Sequence, residues 1–476
     1  MRIATWNVNG IRARQAELQE WLEREQPDIV CLQEIKAGID QLPVWLCEME
    51  GYWCYWHGAK GYSGVGLHVS KRLSADRPRF AHPSFDFENH PSVRLGKGTH
   101  VDFTARVQED ITSSEAPTGD AGELETVDIG KRQIGVEGEI ANVIEYQVER
   151  TLTGAVEDRW RDVYAEFKYF DFARVRGGKF KLPFSLDEGT GARNRDFIYR
   201  SLAATHLAPG RDRGVMVSGR FLEKLIGYEA GVFNHDGRNA RTKNPEKVYG
   251  GQTTAERVTF HPMRNTKNTI GDISVGAAFT QSDVPEGISG LRGQTVLEQN
   301  FFSGSDYIVK GPRHRTGIEF QARPGPASIK AEWIRVETER RGQSVEDTDL
   351  SPIVGEGWYV SGSYALTGER KADGLDHPKK PLLPGLGYGA IEIAARIEQL
   401  RFHSGSSSEQ GSTSPRADTI LGNADQVTTF GVNWYVNRWI KIQVNFVHEK
   451  LDDPSQGPLP SKASFTSKAI RFQFSL

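Results

Sequence analysis

The chain has 476 residues, a formal net charge of −3 and 37% hydrophobic residues. It contains no run of the roughly 18 to 20 apolar residues that a spanning helix needs, which excludes a helical membrane protein, and its near-neutral charge gives no general attraction to nucleic acid. Fifty glycines and 10% aromatic residues still permit a membrane β-barrel, whose strands show no hydropathy peak.

Composition divides the chain into two parts. The three cysteines, Cys31, Cys47 and Cys54, lie in the first 54 residues, and half of the ten tryptophans lie in the first 56. Reduced cysteines are typical of a cytosolic domain, whereas a long cysteine-free stretch is typical of an exported protein. We therefore expect two proteins joined end to end, a head over residues 1–89 and a body over residues 90–476.

The head begins with a strand, a helix and a second strand. Residues 2–8 alternate as a strand, residues 15–26 carry apolar residues at helical spacing, and residues 28–35 form an apolar run of buried-strand length. Polar residues that end neighbouring strands meet at one edge of the sheet, here Asn7 and Glu34. These oxygen ligands suit Mg²⁺, although on spacing alone such residues are more often two solvated side chains.

The head also resembles a known family. The segments ATWNVNGIRAR, PDIVCLQEIKA and GYWCYWHGAKGYSGVGLHVSK are similar to the exonuclease III type of AP endonuclease, within the endonuclease/exonuclease/phosphatase family. The resemblance implies a Mg²⁺-dependent hydrolase that acts on DNA in repair. It makes Asn7 an active-site asparagine and Glu34 the metal ligand, and it places residues 60–63 in a substrate-side loop.

The head lacks the second half of that family's two-layer sandwich. The expected tyrosine, Asp-x-Asn pair and terminal Ser-Asp-His are not found in the sequence, and the Asp376-His377 and His235-Asp236 pairs stand in loop sequence unlike the motif. We expect an incomplete catalytic site. Half a sandwich also leaves one sheet face uncovered.

The body consists of short segments in which apolar and polar residues alternate. Val101, Phe103 and Val107 alternate with polar residues, and the pattern returns through the final segment, where Ile470 and Phe472 alternate with polar residues. A transmembrane strand needs one lipid face and one wet face, which produces this alternation. About sixteen segments fit, near residues 101, 132, 143, 163, 172, 213, 224, 254, 271, 315, 327, 357, 389, 425, 439 and 466.

Loop lengths support the same architecture. Connections after odd-numbered segments are mostly long and those after even-numbered segments mostly short, as in outer-membrane barrels, with residues 368–387 as an exception. The sequence therefore predicts a mainly β fold, a 16-stranded antiparallel transmembrane barrel preceded by an incomplete α/β half-sandwich. A soluble β-sandwich is the alternative, but it seldom uses so many long strands.

Cations concentrate around the fifth segment. We expect Arg174, Arg176, Lys179 and Lys181 to share one face, opposite Val175, Phe180 and Leu182. The long loop that follows is expected to fold inward, and its cations would then line a constriction: Arg193, Arg195, Arg200, Arg211 and Arg213. Arg and Lys favour phosphate there because they give charge-assisted hydrogen bonds. Alternatively they are solvated charges balanced by Asp187, Glu188 and Asp196.

The body in turn resembles the phosphate-selective porins O and P, through HPSVRLGKGTHVDFTARVQ, YAEFKYFDFARVRGGKFKLPFSLDE and the aromatic final strands. The resemblance implies a homotrimeric outer-membrane channel for phosphate, polyphosphate or other anions, in contact with outer-membrane lipid and without a cofactor. It makes Lys179 and Lys181 part of a basic ladder. DNA is a partner only if the head is functional.

The two parts of the chain imply different cellular locations. Barrel resemblance implies the outer membrane, but residues 1–15 lack the apolar region of a secretory signal peptide, so the chain as written is expected to stay in the cytoplasm. The leading hypothesis is an anion channel with a truncated nuclease-like head. A Mg²⁺-dependent DNA repair nuclease and a binding protein with a soluble β-body remain as alternatives.

Overall fold

The computed structural model describes residues 1–38, 41–59, 62–78, 91–118, 123–153, 159–239, 250–263, 272–383, 386–405 and 411–476. The chain forms two compact units, one of the described residues up to 78 with Ser92–Val101, the other of Asp102–Leu476. No helix in these ranges is both long and apolar enough to cross a membrane. The boundary expected between residues 89 and 90 falls outside them.

The first unit contains a four-stranded sheet and two helices. Its elements are β1 (Ile3–Asn7), a 3-10 helix (Ile11–Ala13), α1 (Gln15–Glu25), β2 (Ile29–Gln33), α2 (Val44–Cys47), β3 (Tyr52–Ala59), β4 (Tyr62–Ser70) and the short β5 (Ser92–Arg94). The sheet order is β1-β2-β4-β3, with β1 and β2 parallel and α1 between them in the chain. The predicted strand, helix and strand are confirmed. Lys60 and Gly61 lie outside the described residues, and Tyr62 and Ser63 begin β4.

One face of this sheet carries the core of the head. Leu18 and Leu22 of α1 pack with Val30 and Leu32 of β2, all fully or nearly buried. The spacing of the two leucines places them on one face of the helix, and alternation places the β2 pair on one face of the strand. Ile3 on β1 is 61% exposed, so part of the opposite sheet face is open to solvent.

Sixteen strands of the second unit form a closed antiparallel barrel. In chain order they are β6 (His100–Thr118), β7 (Glu123–Ile140), β8 (Ile144–Thr151), β9 (Trp160–Phe170), β10 (Ala173–Lys181), β11 (Arg211–Phe221), β12 (Ile226–Phe233), β13 (Thr253–Met263), β14 (Asp272–Ile288), β17 (Ile308–Arg323), β18 (Ala327–Arg340), β19 (Leu350–Ala365), β20 (Ala390–His403), β21 (Asn423–Tyr435), β22 (Ile440–Leu451) and β23 (Ser464–Ser475). Each corresponds to one predicted segment, and β23 pairs with β6 to close the barrel. The predicted fold class is confirmed.

Side chains alternate across the barrel wall as the sequence predicts. On β23, Ile470, Phe472 and Phe474 are between 36% and 46% exposed, whereas Arg471 and Gln473 are buried. A water-soluble β-protein would bury the apolar set instead. The exposed apolar face belongs in lipid and the polar face lines the interior.

Three connections matter for the interior of the barrel. Loop L3 (residues 182–210) contains α3 (Leu186–Gly189), a 3-10 helix (Ala192–Asn194) and α4 (Leu202–Leu207). Loop L5 (residues 289–307) contains the hairpin β15 (Arg292–Gln294) and β16 (Asn300–Ser303) and a 3-10 helix (Gly304–Asp306). Insert T6 (residues 366–389) is the long connection on the short-turn side and contains the 3-10 helix Lys371–Asp373. Two further 3-10 helices are Gly237–Asn239 and Pro454–Gln456.

Candidate functional site

Loop L3 lies inside the barrel. The amide of Leu186 donates to Glu332 Oε1 at 3.0 Å, and that of Leu202 donates to Glu398 Oε2 at 2.6 Å. Both acceptors are buried on the inner face of the wall. The loop is therefore fastened to β18 and β20 from within, which agrees with its expected inward fold.

L3 and T6 enclose a cavity against the barrel wall. Its volume is about 820 Å³, and its charged lining residues are Arg176, Lys181, Arg257, Arg323, Lys330 and Lys371, with Asp196, Glu229 and Asp376. Three of the cations pair with acids that do not line the cavity: Arg176 with Glu166, Arg257 with Glu319, and Arg323 with Asp272. Among the lining residues cations therefore outnumber acids, and three acids behind the lining offset part of that excess.

The four cations of β10 do not share a face, contrary to the expectation from the sequence. β10 pairs one for one with β9 and β11 from Arg176 to Lys179, so successive side chains alternate between faces. Arg174 and Arg176 point inward, and both line interior cavities. Lys179 lies on the outward face with Val175, which is 43% exposed.

The remaining predicted cations of β10 and β11 lie near the ends of these strands. Lys181 is the last residue of β10, and its Nζ reaches the cavity and donates to the Glu188 carbonyl at 2.5 Å. Arg211, the first residue of β11, pairs with Asp162 at 2.6 Å. Arg213 stands opposite Lys179 and is exposed. The structure thus brings Lys181 and Arg211 to the interior and leaves Lys179 and Arg213 outside.

The L3 arginines face the wall of the last strands. Arg193 Nη2 donates to the Ser475 carbonyl at 3.0 Å. Arg195 is 5% exposed, and its Nη1 donates to the Ile198 carbonyl at 3.2 Å. Its Nε and Nη2 have no hydrogen-bond partner within the part of the chain that the structure describes. Unpartnered buried donors of this kind are available to an anion.

Sequence reasoning missed the cations that face L3 from the wall. Lys131 on β7 lies within electrostatic range of Arg161, Arg195, Arg200 and Arg471. Arg471 on β23 donates to the Ile198 carbonyl at 2.8 Å and pairs with Asp110. The available signal was a cation at a polar position of an alternating strand. Arg106 on β6 is another, and it lies in electrostatic range of Arg193 and Arg195.

Buried acids balance part of this positive charge. Burial alone would raise the pKa of Glu188, but the neighbouring Arg200 and Arg238 outweigh it and lower the pKa to about 2. Both arginines are 3.3 Å from Glu188 Oε2. Of the three acids that the sequence suggested as partners of solvated cations, Glu188 is 5% exposed and Asp196 is 6% exposed, whereas Asp187 is half-buried.

In the head, Asn7 and Glu34 meet where β1 and β2 end. Asn7 Nδ2 donates to Glu34 Oε1 at 3.0 Å, and Lys36 Nζ lies 3.3 Å from Glu34 Oε2. The hydrogen bond from Asn7 and the interaction with Lys36 lower the pKa of Glu34. Asn7 Oδ1 accepts from the Asn9 amide, so Glu34 is the residue of this pair whose chemistry suits Mg²⁺.

The barrel sequence matches the family described as phosphate-selective porin O and P over residues 101–476. The chain belongs to this family. Its barrel is an outer-membrane channel of the porin type, which agrees with the closed wall and the lipid-facing alternation.

The porin barrel is also similar to solved structures. OmpT, an outer membrane protein of Vibrio cholerae, is 12% identical with a TM-score of 0.48, covering 80% of this chain and 98% of that chain. An anion-selective porin from Comamonas acidovorans is 10% identical with a TM-score of 0.48, covering 79% and 100%. A trimer form of OmpT is 13% identical with a TM-score of 0.47, covering 80% and 100%.

A match to the endonuclease/exonuclease/phosphatase family runs over residues 4–179, which include the head. Exodeoxyribonuclease III of Haemophilus influenzae is 36% identical over 94 residues, which is 20% of this chain and 33% of the nuclease. The DNA repair nuclease APEX1 of Danio rerio is 42% identical over 72 residues, 14% of this chain and 23% of the nuclease. The chain spans a third or less of these nucleases, and beyond residue 101 the nuclease match overlaps the porin match on barrel strands.

Proposed function

We propose that the barrel conducts phosphate and other small oxyanions. The observation that carries the proposal is the position of L3 inside the lumen, where Arg193 and Arg195 face cations of the wall. Phosphate forms charge-assisted hydrogen bonds with guanidinium and ammonium groups, which replace the water it loses. The family to which the chain belongs, the phosphate-selective porins, supports this anion.

The porin would select by charge and pass ions along several cations in turn. Conduction needs binding strong enough to admit an ion and weak enough to release it. The cavity between L3 and T6 meets both needs, because its cations are partly neutralised by acids such as Asp196. We further propose a homotrimer, with the long loops outside the cell and lipid against the outward apolar face; the trimer form of the Vibrio cholerae protein is consistent with it.

The experiment is conductance of the purified full chain in planar bilayers. With unequal KCl across the membrane, we expect a reversal potential of the sign for chloride, and added phosphate should reduce the chloride current. The combined Arg176→Gln and Lys181→Gln variant should weaken the block by phosphate. A pore selective for cations would refute the proposal.

The structure supplies a matched control on the same strands. Lys179→Gln with Arg213→Gln removes the same formal charge from the outward face. We expect this outward variant to keep the wild-type selectivity. An equal loss in both variants would show that overall charge, and not the interior pathway, determines the anion preference.

For the head, covering residues 1–89, we propose a nuclease-derived segment in which Glu34 is suited to hold Mg²⁺. The observation that favours it is the 3.0 Å hydrogen bond from Asn7. Because the chain carries a third or less of the related nucleases, we expect no incision of abasic-site DNA. Mg²⁺-dependent incision that is lost in Glu34→Ala would instead support the second function, a DNA repair nuclease.

A further inference from the structure

Asp196 of L3 lies between two lysines from different parts of the barrel. Its Oδ2 is 2.7 Å from Lys330 Nζ on β18, and its Oδ1 is 2.8 Å from Lys371 Nζ in T6. All three side chains line the cavity of about 820 Å³. Lys371 has a second acid, Glu392 on β20, whereas within the described part of the chain Lys330 has Asp196 alone.

We propose that Asp196 is a tethered counter-anion, which a transported oxyanion displaces from Lys330. The inference rests on the proposed channel function and deepens it by naming a residue that sets anion affinity. A carboxylate presents two oxygens and a negative charge to the two ammonium groups, and a phosphate presents the same. The transported ion therefore meets a site that is already occupied by a weaker, attached competitor.

The charges of this group favour replacement of the Asp196 carboxylate by a transported anion over a permanent ion pair with Lys330. Asp196 and Glu392 together balance Lys330 and Lys371, so the group is neutral when no mobile ion is bound. When phosphate takes the place of the carboxylate at Lys330, Asp196 keeps its contact with Lys371. Neither lysine is then left buried without a partner, an arrangement that would be costly.

Asp196 also stays ionised while it competes. Burial alone would raise its pKa, but the charges of Lys330 and Lys371 outweigh burial and hold the pKa well below the usual range. Burial likewise opposes the charge on Lys371, and Asp196 and Glu392 outweigh it to raise its pKa to about 12.

The backbone around Asp196 is held independently of its side chain. The Asp196 carbonyl accepts from Asn433 Nδ2 at 2.8 Å, and the Arg195 carbonyl accepts from Lys441 Nζ at 2.6 Å. The Ile198 amide donates to Asn445 Oδ1 at 2.9 Å. Only rotation of the carboxylate is required for exchange, and replacement of Asp196 is expected to leave L3 in place.

The test compares block of the chloride current by inorganic phosphate in the full chain and in Asp196→Asn. Without the competing charge, Lys330 binds phosphate more tightly, and we expect half-block at about tenfold lower phosphate. Glu229→Gln is the matched control, because Glu229 lines the same cavity but is paired with Arg257. Its half-block should move by less than about threefold, since the charge removed is the same but Arg257 keeps Glu319.

Two results would overturn the inference while the channel proposal stands. One is an anion-selective wild type in which Asp196→Asn leaves the half-block unchanged, and the other is an equal shift in Glu229→Gln. If Asp196→Asn does not fold, Lys330→Gln decides: block weakened about tenfold supports the inference, and unchanged block refutes it. A wild type with no anion preference would instead refute the proposed function itself.

Discussion

His68 lies in the core of the head as a neutral imidazole. It is fully buried, its ring meets Trp56 edge-on with centroids 5.0 Å apart, and in the described residues neither ring nitrogen has a hydrogen-bond partner. Burial lowers its pKa to about 4, because a charged ring would lose its hydration there. The unfolded chain accepts a proton near pH 6.5 and the folded head does not.

The head should therefore lose stability in mild acid. As the pH falls from 6.5 to 4, protons bind the unfolded state first, and the free energy of unfolding should drop by about 3 kcal/mol and then level off. Hydrogen exchange of peptides from residues 52–70, read by mass spectrometry, measures this. His68→Leu should remove the dependence in that range, and a head equally stable at pH 7 and pH 4.5 would contradict the prediction.

At the scale of elements, L3 depends on a few inner-face side chains of the barrel. Asn445 on β22 accepts from the Ile198 amide at 2.9 Å, in a buried position. In Asn445→Ala this amide loses its partner, which costs about 1 to 3 kcal/mol of local stability. We expect noisier single-channel current and faster hydrogen exchange across residues 195–205.

The control for this variant is a substitution on the outward face of the barrel. Gln426→Ala on β21 removes an exposed side chain on the outward face of the same wall. Its current noise and L3 exchange should match those of the wild type. Equal exchange in wild type and Asn445→Ala would show that the other contacts hold the loop without this hydrogen bond.

The strands and the inward fold of L3 could be predicted from the sequence, and the side-chain contacts inside the barrel could not. Alternation is local, so the residues of each strand are enough to predict that strand. The alternating loop lengths indicate on which side of the barrel each connection lies. The shared face expected for Arg176 and Lys179 was wrong because three residues separate them, and in an unbulged strand an odd separation reverses the face. The odd spacing of the two residues is visible in the sequence. Whether a β-bulge between them restores a shared face can be seen only in the structure.

The contacts that define the pathway are non-local. Asp196 and Lys371 are 175 positions apart and meet only because L3 and T6 enter the lumen from different connections. The exceptional length of T6 was visible in the sequence, but its inward course was not. In the head, the approach of Asn7 and Glu34 was predictable, because parallel neighbouring strands end at the same edge.

At the scale of the whole molecule, the barrel is inside out relative to a soluble protein. Phe430 stands midway along β21 and is 59% exposed, while its neighbour Thr429 is 2% exposed. If the outward face meets lipid, a charge at this position must enter hydrocarbon. Phe430→Arg should then lower the free energy of unfolding in lipid vesicles by about 2 to 4 kcal/mol, as expected for a cation near the bilayer centre.

Urea unfolding of the full chain in vesicles measures this difference, with Phe430→Leu as the apolar control. Leucine keeps the surface compatible with hydrocarbon, so the control should stay much closer to the wild type than the arginine variant does. The sign also separates the two architectures that the sequence allowed. On an aqueous surface, replacing an exposed phenylalanine with arginine changes stability within about 0.5 kcal/mol, because the charge remains hydrated. A near-zero effect would therefore place β21 against water and remove the physical basis of the channel.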